Sequence, residues 1–159
     1  MKRSKMLWVV TLFFVWAALK TAGSVFGAQY VSDYALLSTI GFGSLFYVIN
    51  VPLMLGEAAA AYLLLKRRAG SFVVAGSVIA VEVINGIFMS AIAMLHLDEA
   101  KVFYIKSREA RGLTVRQEYI DYIVSFQGIA LAVLACVAFY ILLYYFLCKV
   151  RPELKVESV

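Results

Sequence analysis

Three ionisable residues stand in the interior of long apolar stretches: Lys20, Glu57 and Glu82. A charge surrounded by hydrocarbon is expensive. Such groups face protein or a water-filled cavity, where they pair with one another or serve an ion or proton path. Asn50 and Asn85 add two amides to the same stretches. Helical rise is ~1.5 Å per residue, counted here from the lysine- and arginine-rich ends of the stretches. On that count Lys20, Asn50, Glu82 and Asn85 share a depth of about 18–22 Å, with Glu57 at roughly 12 Å. The five residues make a candidate intramembrane polar layer. Two kinds of chemistry fit it. In one, Glu57 or Glu82 exchanges a proton or binds a cation. In the other the layer is structural: Lys20 pairs with Glu82, Asn50 and Asn85 hydrogen-bond the pair, and helix register is fixed. A variant of the second lets the long Lys20 stem carry its ammonium outward.

The elements that must hold these residues follow from composition. Of 159 residues 64% are hydrophobic and only 16% are charged, and mean hydropathy is +0.87. A soluble domain is about 45–50% apolar and about 25% charged, so this chain needs lipid as its solvent. Four stretches, 6–28, 35–65, 70–97 and 119–148, each exceed the ~20 residues that span a bilayer. Lys20 interrupts the first before any small-x-small cleavage site, so that stretch is expected to remain as an anchor rather than to be removed as a signal. The expected fold is all-α: a single transmembrane domain over residues 1–159, built as a polytopic four-helix bundle.

Orientation is read from lysine and arginine in the connections. Lys2, Arg3, Lys5, Lys66, Arg67, Arg68, Lys149, Arg151 and Lys155 fall on one side, against Glu153 and Glu157. The other side balances Lys101, Lys106, Arg108, Arg111 and Arg116 with Asp33, Asp98, Glu99, Glu109, Glu118 and Asp121. The bias puts both termini in the cytoplasm, in a plasma or inner membrane.

The connection from 98 to 118 has little that breaks a helix before Gly112. Gly112 suits a left-handed closing residue, and Thr114 with Gln117 reads as a capping box. The third and fourth helices are therefore expected to continue outward into an extramembrane helical hairpin, with Arg108 opposite Glu118. Tyr104, Arg108, Arg111 and Glu118 make it a candidate partner-binding arm. The competing expectation is a segment lying along the interface, with Val102, Phe103, Tyr104 and Ile105 dipping into it.

Small residues mark possible helix-packing faces. Gly23 and Gly27 form a GxxxG that shares a face with Lys20. Ala58 and Ala61 lie beside Glu57, and Gly86 continues the Glu82 face.

Several chemistries lack their residues. His96 is the sole histidine, which removes paired-histidine haem ligation and histidine-rich metal sites. No glycine-rich phosphate loop occurs. Cys136 and Cys148 lie too far apart on one helix to bridge. The net charge of +5 sits in short clusters at helix ends rather than on a basic face, which argues against nucleic acid. No catalytic residue, metal or cofactor is expected. The partners expected are the bilayer and either further copies or another membrane protein. The leading expectation is a non-enzymatic subunit or assembly partner working through its helix faces and arm; the alternative is a small oligomeric transporter or channel coupled to protons or cations through Glu57, Glu82 and Lys20, with a lipid-active membrane enzyme third.

Overall fold

Ser4 opens the first helix: its side-chain oxygen accepts the Leu7 N–H at 3.2 Å, satisfying one donor of the unpaired first turn. A computed structural model describes residues 4–68 and 70–154. Lys2, Arg3, Lys155 and Glu157, used above for orientation, lie outside the described residues. In chain order the helices are α1 (Lys5–Phe26), α2 (Ser32–Thr39), α3 (Gly43–Leu65), α4 (Ser71–Leu95), α5 (Leu97–Ala110), α6 (Gln117–Ile123) and α7 (Phe126–Val150). Short 3-10 turns occupy Ala28–Tyr30 and Arg151–Glu153. No strand occurs among the described residues. Four helices, α1, α3, α4 and α7, are long and apolar enough to cross a membrane.

The long helices pack in order. α1 lies on α3 along most of its length, α3 on α4 and α4 on α7, and a smaller contact returns α7 to α1. The spacing of their apolar residues explains the pairing. Leu7, Val10 and Phe14 of α1 recur every three or four residues, and Leu53, Ala60 and Leu64 of α3 follow at spacings of seven and four, so each set forms one stripe. These stripes meet Ala75, Val78 and Ile79 of α4 and Leu143, Leu147 and Val150 of α7 in one core. The Ser4 N–H donates to Glu153 Oε2 at 3.2 Å, so the core sits at the end of the molecule where the two chain ends meet.

Connectors cover the opposite end, and here the structure departs from the sequence reading. The second stretch does not run as one helix from 35 to 65. Gly41 takes a left-handed φ of +85°, and a Cβ at Gly43 would stand 2.6 Å from Ser38 Oγ, so the chain turns sharply between α2 and α3. Nor do the third and fourth helices continue straight into a hairpin. α4 ends at His96, and α5 begins a new helix whose first turn carries Asp98 and Glu99, where carboxylates favour a helix start. Ser125 separates α6 from α7: its Oγ donates to the Tyr122 carbonyl at 2.6 Å and accepts the Gly128 N–H at 3.0 Å. A Cβ on Gly128 would collide with the carbonyl oxygens of Tyr122 and Ile123, so only glycine permits this break.

The arm consequently folds down instead of projecting. α5 packs on α2 and on the Ala28–Tyr30 turn, with Ala100, Leu36, Ile120 and Val124 forming a small apolar cluster. Gly112 does close α5 in the left-handed region, at φ +67°. The Leu113 N–H reaches the Arg108 carbonyl and the Gly112 N–H reaches that of Glu109, the paired bonds of a Schellman ending. Thr114 does not cap α6; Arg116 occupies the N-cap and gives no side-chain bond. The described ion pair across the turn is Lys101 with Asp121, at 3.0 Å, rather than Arg108 with Glu118. Arg108 spends its Nε and Nη2 on the Thr114 carbonyl, because the extended segment after Gly112 brings that oxygen closer.

Candidate intramembrane polar site

Each long helix carries its apolar stripe away from the terminal end until a polar residue takes the next place. On α1 the buried series Leu7, Val10, Phe14, Ala17 ends in Thr21. On α3 the series Leu64, Ala61, Ala60 reaches Glu57, with Leu53 one turn beyond. On α4, Ala75, Val78 and Ile79 are followed one turn on by Glu82, and on α7 the series Val150, Leu147, Leu143 leads to Tyr140 and then Cys136. Spacings of three and four keep Thr21, Glu57, Glu82 and Tyr140 on the inward faces, while Cys136, one turn beyond Tyr140, is exposed. All four helices therefore contribute to one polar site.

Glu57 is its most enclosed member. Its residue exposure is 0%, and neither Oε1 nor Oε2 has a hydrogen-bond partner. The polar groups that act on its carboxyl are the Glu82 carboxyl and the Thr21 hydroxyl, with the Lys20 ammonium acting only through its charge. Glu82 is half-buried and is the hub, since the Tyr140 hydroxyl and the Cys136 thiol also feel its charge. Lys20 is exposed and holds its Nζ 5.6 Å from the centre of the Trp16 ring. Phe13 stacks against Phe139 at 5.5 Å and Tyr140 at 6.4 Å, which closes the α1–α7 contact on the terminal side of the site.

Of the expected layer, Glu57 and Glu82 face each other, while Lys20 is exposed and reaches them only through its charge. Asn50 instead donates its Nδ2 to the Phe46 carbonyl one turn back, at 2.8 Å, and Asn85 is half-buried on α4. Thr21, Cys136 and Tyr140 are members that sequence reasoning passed over; the phase of their stripes is the signal that identifies them. Among the small residues, Ala61 is buried in the core and Ala58 is exposed. A Cβ on Gly23 or Gly86 would have nothing within 4 Å, while one on Gly27 would approach the Gly23 carbonyl at 3.0 Å. In the arm, Arg108 lies over Tyr104, Arg111 is tied to Ser107 and Glu118 is exposed.

Space opens beside the site at the connector end. A cavity of about 400 Å³ between α2, α4, α5 and α7 is bounded by Asp33, Met89 and Tyr104. A second, of about 230 Å³, lies between α4 and α7 and reaches Cys136. The two share Gly86, Ser90 and Ala132 as walls, so they form one cleft from Asp33 to Cys136. Asp33 is open to the cleft yet has protein around it, and that loss of solvation holds its carboxyl above the ordinary aspartate value of 3.8; the Ser32 hydroxyl and Lys20 act in the opposite direction.

No known family matches the chain, and neither a characterised protein nor a solved structure matches it. The fold gives the class by itself: an all-helical chain whose four long apolar helices mark a membrane protein.

Proposed function

We propose that this chain is a small, non-enzymatic transport protein in which the Glu57–Glu82 pair takes up a proton or a monovalent cation within the membrane. The supporting observation is Glu57 itself, wholly buried, with no hydrogen-bond partner and facing a second carboxyl. Two carboxylates facing each other away from water cannot both stay ionised unless a cation joins them; otherwise they share a proton. A group that only fixed helix register would be expected to have its bonds satisfied. The cleft runs from Asp33 as far as Cys136, with Val83, the chain neighbour of Glu82, in its wall. In this reading the basic clusters keep both termini in the cytoplasm, and the connector end with its cleft faces outward.

The test is flux in proteoliposomes under imposed proton and monovalent-cation gradients. The wild-type chain should carry a gradient-driven current or pH change, and Glu57→Gln and Glu82→Gln should each lower it at least ~10-fold, as expected when an essential ionisable group is lost. Undiminished flux in both variants, or none in the wild type, overturns the reading.

One observation favours the alternative of a subunit in a larger membrane complex. Gly86 and Ala58 leave smooth, uncovered patches on α4 and α3 that another helix could approach closely. Purification in mild detergent tests this. A constant companion protein supports the subunit reading, and emergence alone or as a homo-oligomer removes it.

A further inference from the structure

Lys20 lies in a helix long enough to span the bilayer, yet no carboxylate among the described residues stands within ion-pair distance of it. Among the described residues the ion pair found is Lys101–Asp121. A lysine at such depth is costly unless a negative group joins it or its stem carries the ammonium to the interface. Lys20 opens into a cavity of about 400 Å³ at the end of α1, and the opposite wall is the last turn of α5. That wall presents Arg111, a second cation without an ion pair.

The wall is built to hold Arg111 in place. Its Nε donates to the Ser107 carbonyl at 2.9 Å and its Nη2 to Ser107 Oγ at 3.2 Å. Ser107 is only 8% exposed and is itself fixed, because its hydroxyl donates to the Tyr30 carbonyl at 2.8 Å. The guanidinium is thus anchored along one edge and keeps Nη1 unengaged. Ser24 adds a hydroxyl to the lining, whereas that of Ser32 donates to Asp33 Oδ1 at 3.5 Å, and Gly23 leaves the floor bare, with nothing within 4 Å of where a Cβ would stand. Asp33, beside Ser32, offsets part of the Lys20 charge but belongs to the neighbouring cleft.

We propose that this pocket binds a phosphate group, using Lys20 and Arg111 for charge and the Ser24 hydroxyl for a hydrogen bond. A planar guanidinium held along one edge, with an ammonium opposite and a hydroxyl between, is the donor set that phosphate oxygens require. The volume leaves room beyond the phosphate for a small ester substituent. The phosphate can belong to an anionic phospholipid headgroup or to a free phosphate compound. The pocket opens at the end of a spanning helix, where either can reach it. The inference does not rest on the transport reading, because it uses α1 and α5 and leaves Glu57 and Glu82 aside.

Native mass spectrometry of the detergent-purified chain tests it, with phosphatidylglycerol, phosphatidylcholine and inorganic phosphate as separate probes. The wild-type chain should bind phosphatidylglycerol or inorganic phosphate at least ~10-fold more tightly than phosphatidylcholine, as charge-assisted bonds to two cations imply. Lys20→Gln and Arg111→Gln should each remove most of that preference, Lys20→Arg should keep it, and Lys101→Gln should leave it unchanged. Gly23→Leu fills the floor without altering any charge and should abolish binding while circular dichroism shows the helices intact. Binding of phosphatidylglycerol alone assigns the pocket to lipid, and binding of inorganic phosphate assigns it to a soluble compound. Equal binding of all three probes, no binding of either phosphate probe, or unchanged preference in Lys20→Gln and Arg111→Gln overturns the proposal.

Discussion

The terminal half of the molecule and the connector half are built on opposite rules. In the terminal half, leucine, valine, phenylalanine and alanine from all four long helices interdigitate, and the two chain ends are joined by the Ser4–Glu153 bond. In the connector half the same helix faces carry Thr21, Glu57, Glu82 and Tyr140, and cavities replace packing. Lipid is as apolar as leucine, so helices in a membrane are held by close packing and hydrogen bonds more than by burial. The polar faces of the connector half are held by the other half and by its connectors, which supply hydrogen bonds and small apolar clusters of their own. That division gives the chain a rigid base and a part free to take up a ligand.

Substitutions can break or sharpen this contrast. The largest effect is expected in the packed half. Phe14→Ala should cost roughly 2–3 kcal/mol, somewhat below the usual loss for a core phenylalanine because lipid rather than water is the alternative surrounding. Met89→Ala, a truncation on the cleft wall, should cost under about 1 kcal/mol, since it enlarges a space that already exists. Unfolding in mixed detergent micelles measures both, and equal losses would erase the distinction between the halves.

The polar half should show the reverse sign. Glu57→Leu keeps the volume and removes a buried carboxyl whose oxygens have no partner. It should stabilise the chain by about 1–2 kcal/mol, as apolar replacement of buried ionic groups often does, while abolishing flux. A destabilised Glu57→Leu chain would show that the carboxyl serves the fold.

Smaller effects belong to the connectors. Loss of solvation makes Asp33 bind its proton more tightly in the folded chain than in the unfolded one. Its contribution to stability is therefore fully present below the ordinary value of 3.8 and is lost as pH rises through the higher folded-state value. Asp33→Asn should flatten that part of the stability–pH curve, and a curve identical to wild type would place Asp33 in bulk water. The least effect is expected at Lys101–Asp121, whose side chains are 32% and 53% exposed. A double-mutant cycle there should give a coupling of roughly 0.5 kcal/mol, falling further with salt.

The spans and the ionisable core of the site were legible in the sequence because hydrocarbon tolerates so few charges. Lys20, Glu57 and Glu82 stand out in any apolar run. Thr21 and Tyr140 do not, since both are ordinary residues in such helices, and only their phase with the apolar stripes places them inward; Cys136 continues the α7 stripe but is exposed. Helix interruptions were harder to see. Averaged over a span, Gly41 and Ser125 vanish into hydrophobicity, although the glycine pair around Phe42 and the Ser125–Gly128 spacing are local turn and cap signals. Gly112 was readable as a helix end because one residue decides it. The direction of the arm was not, because it depends on Ala100 meeting Leu36, a contact between segments far apart in the chain.

Hydration of the polar half is the central claim, and Cys136 reports on it directly. In a Cys148→Ser chain reconstituted into liposomes, a hydrophilic thiol reagent should label Cys136 through the cleft. A cysteine placed at the fully buried Ala75 of the packed half should stay unmodified. Labelling of Cys136 alone is the predicted result. A Cys136 that resists the reagent in the membrane but reacts fully once the chain is denatured would mean that no water reaches the site, and would contradict this account.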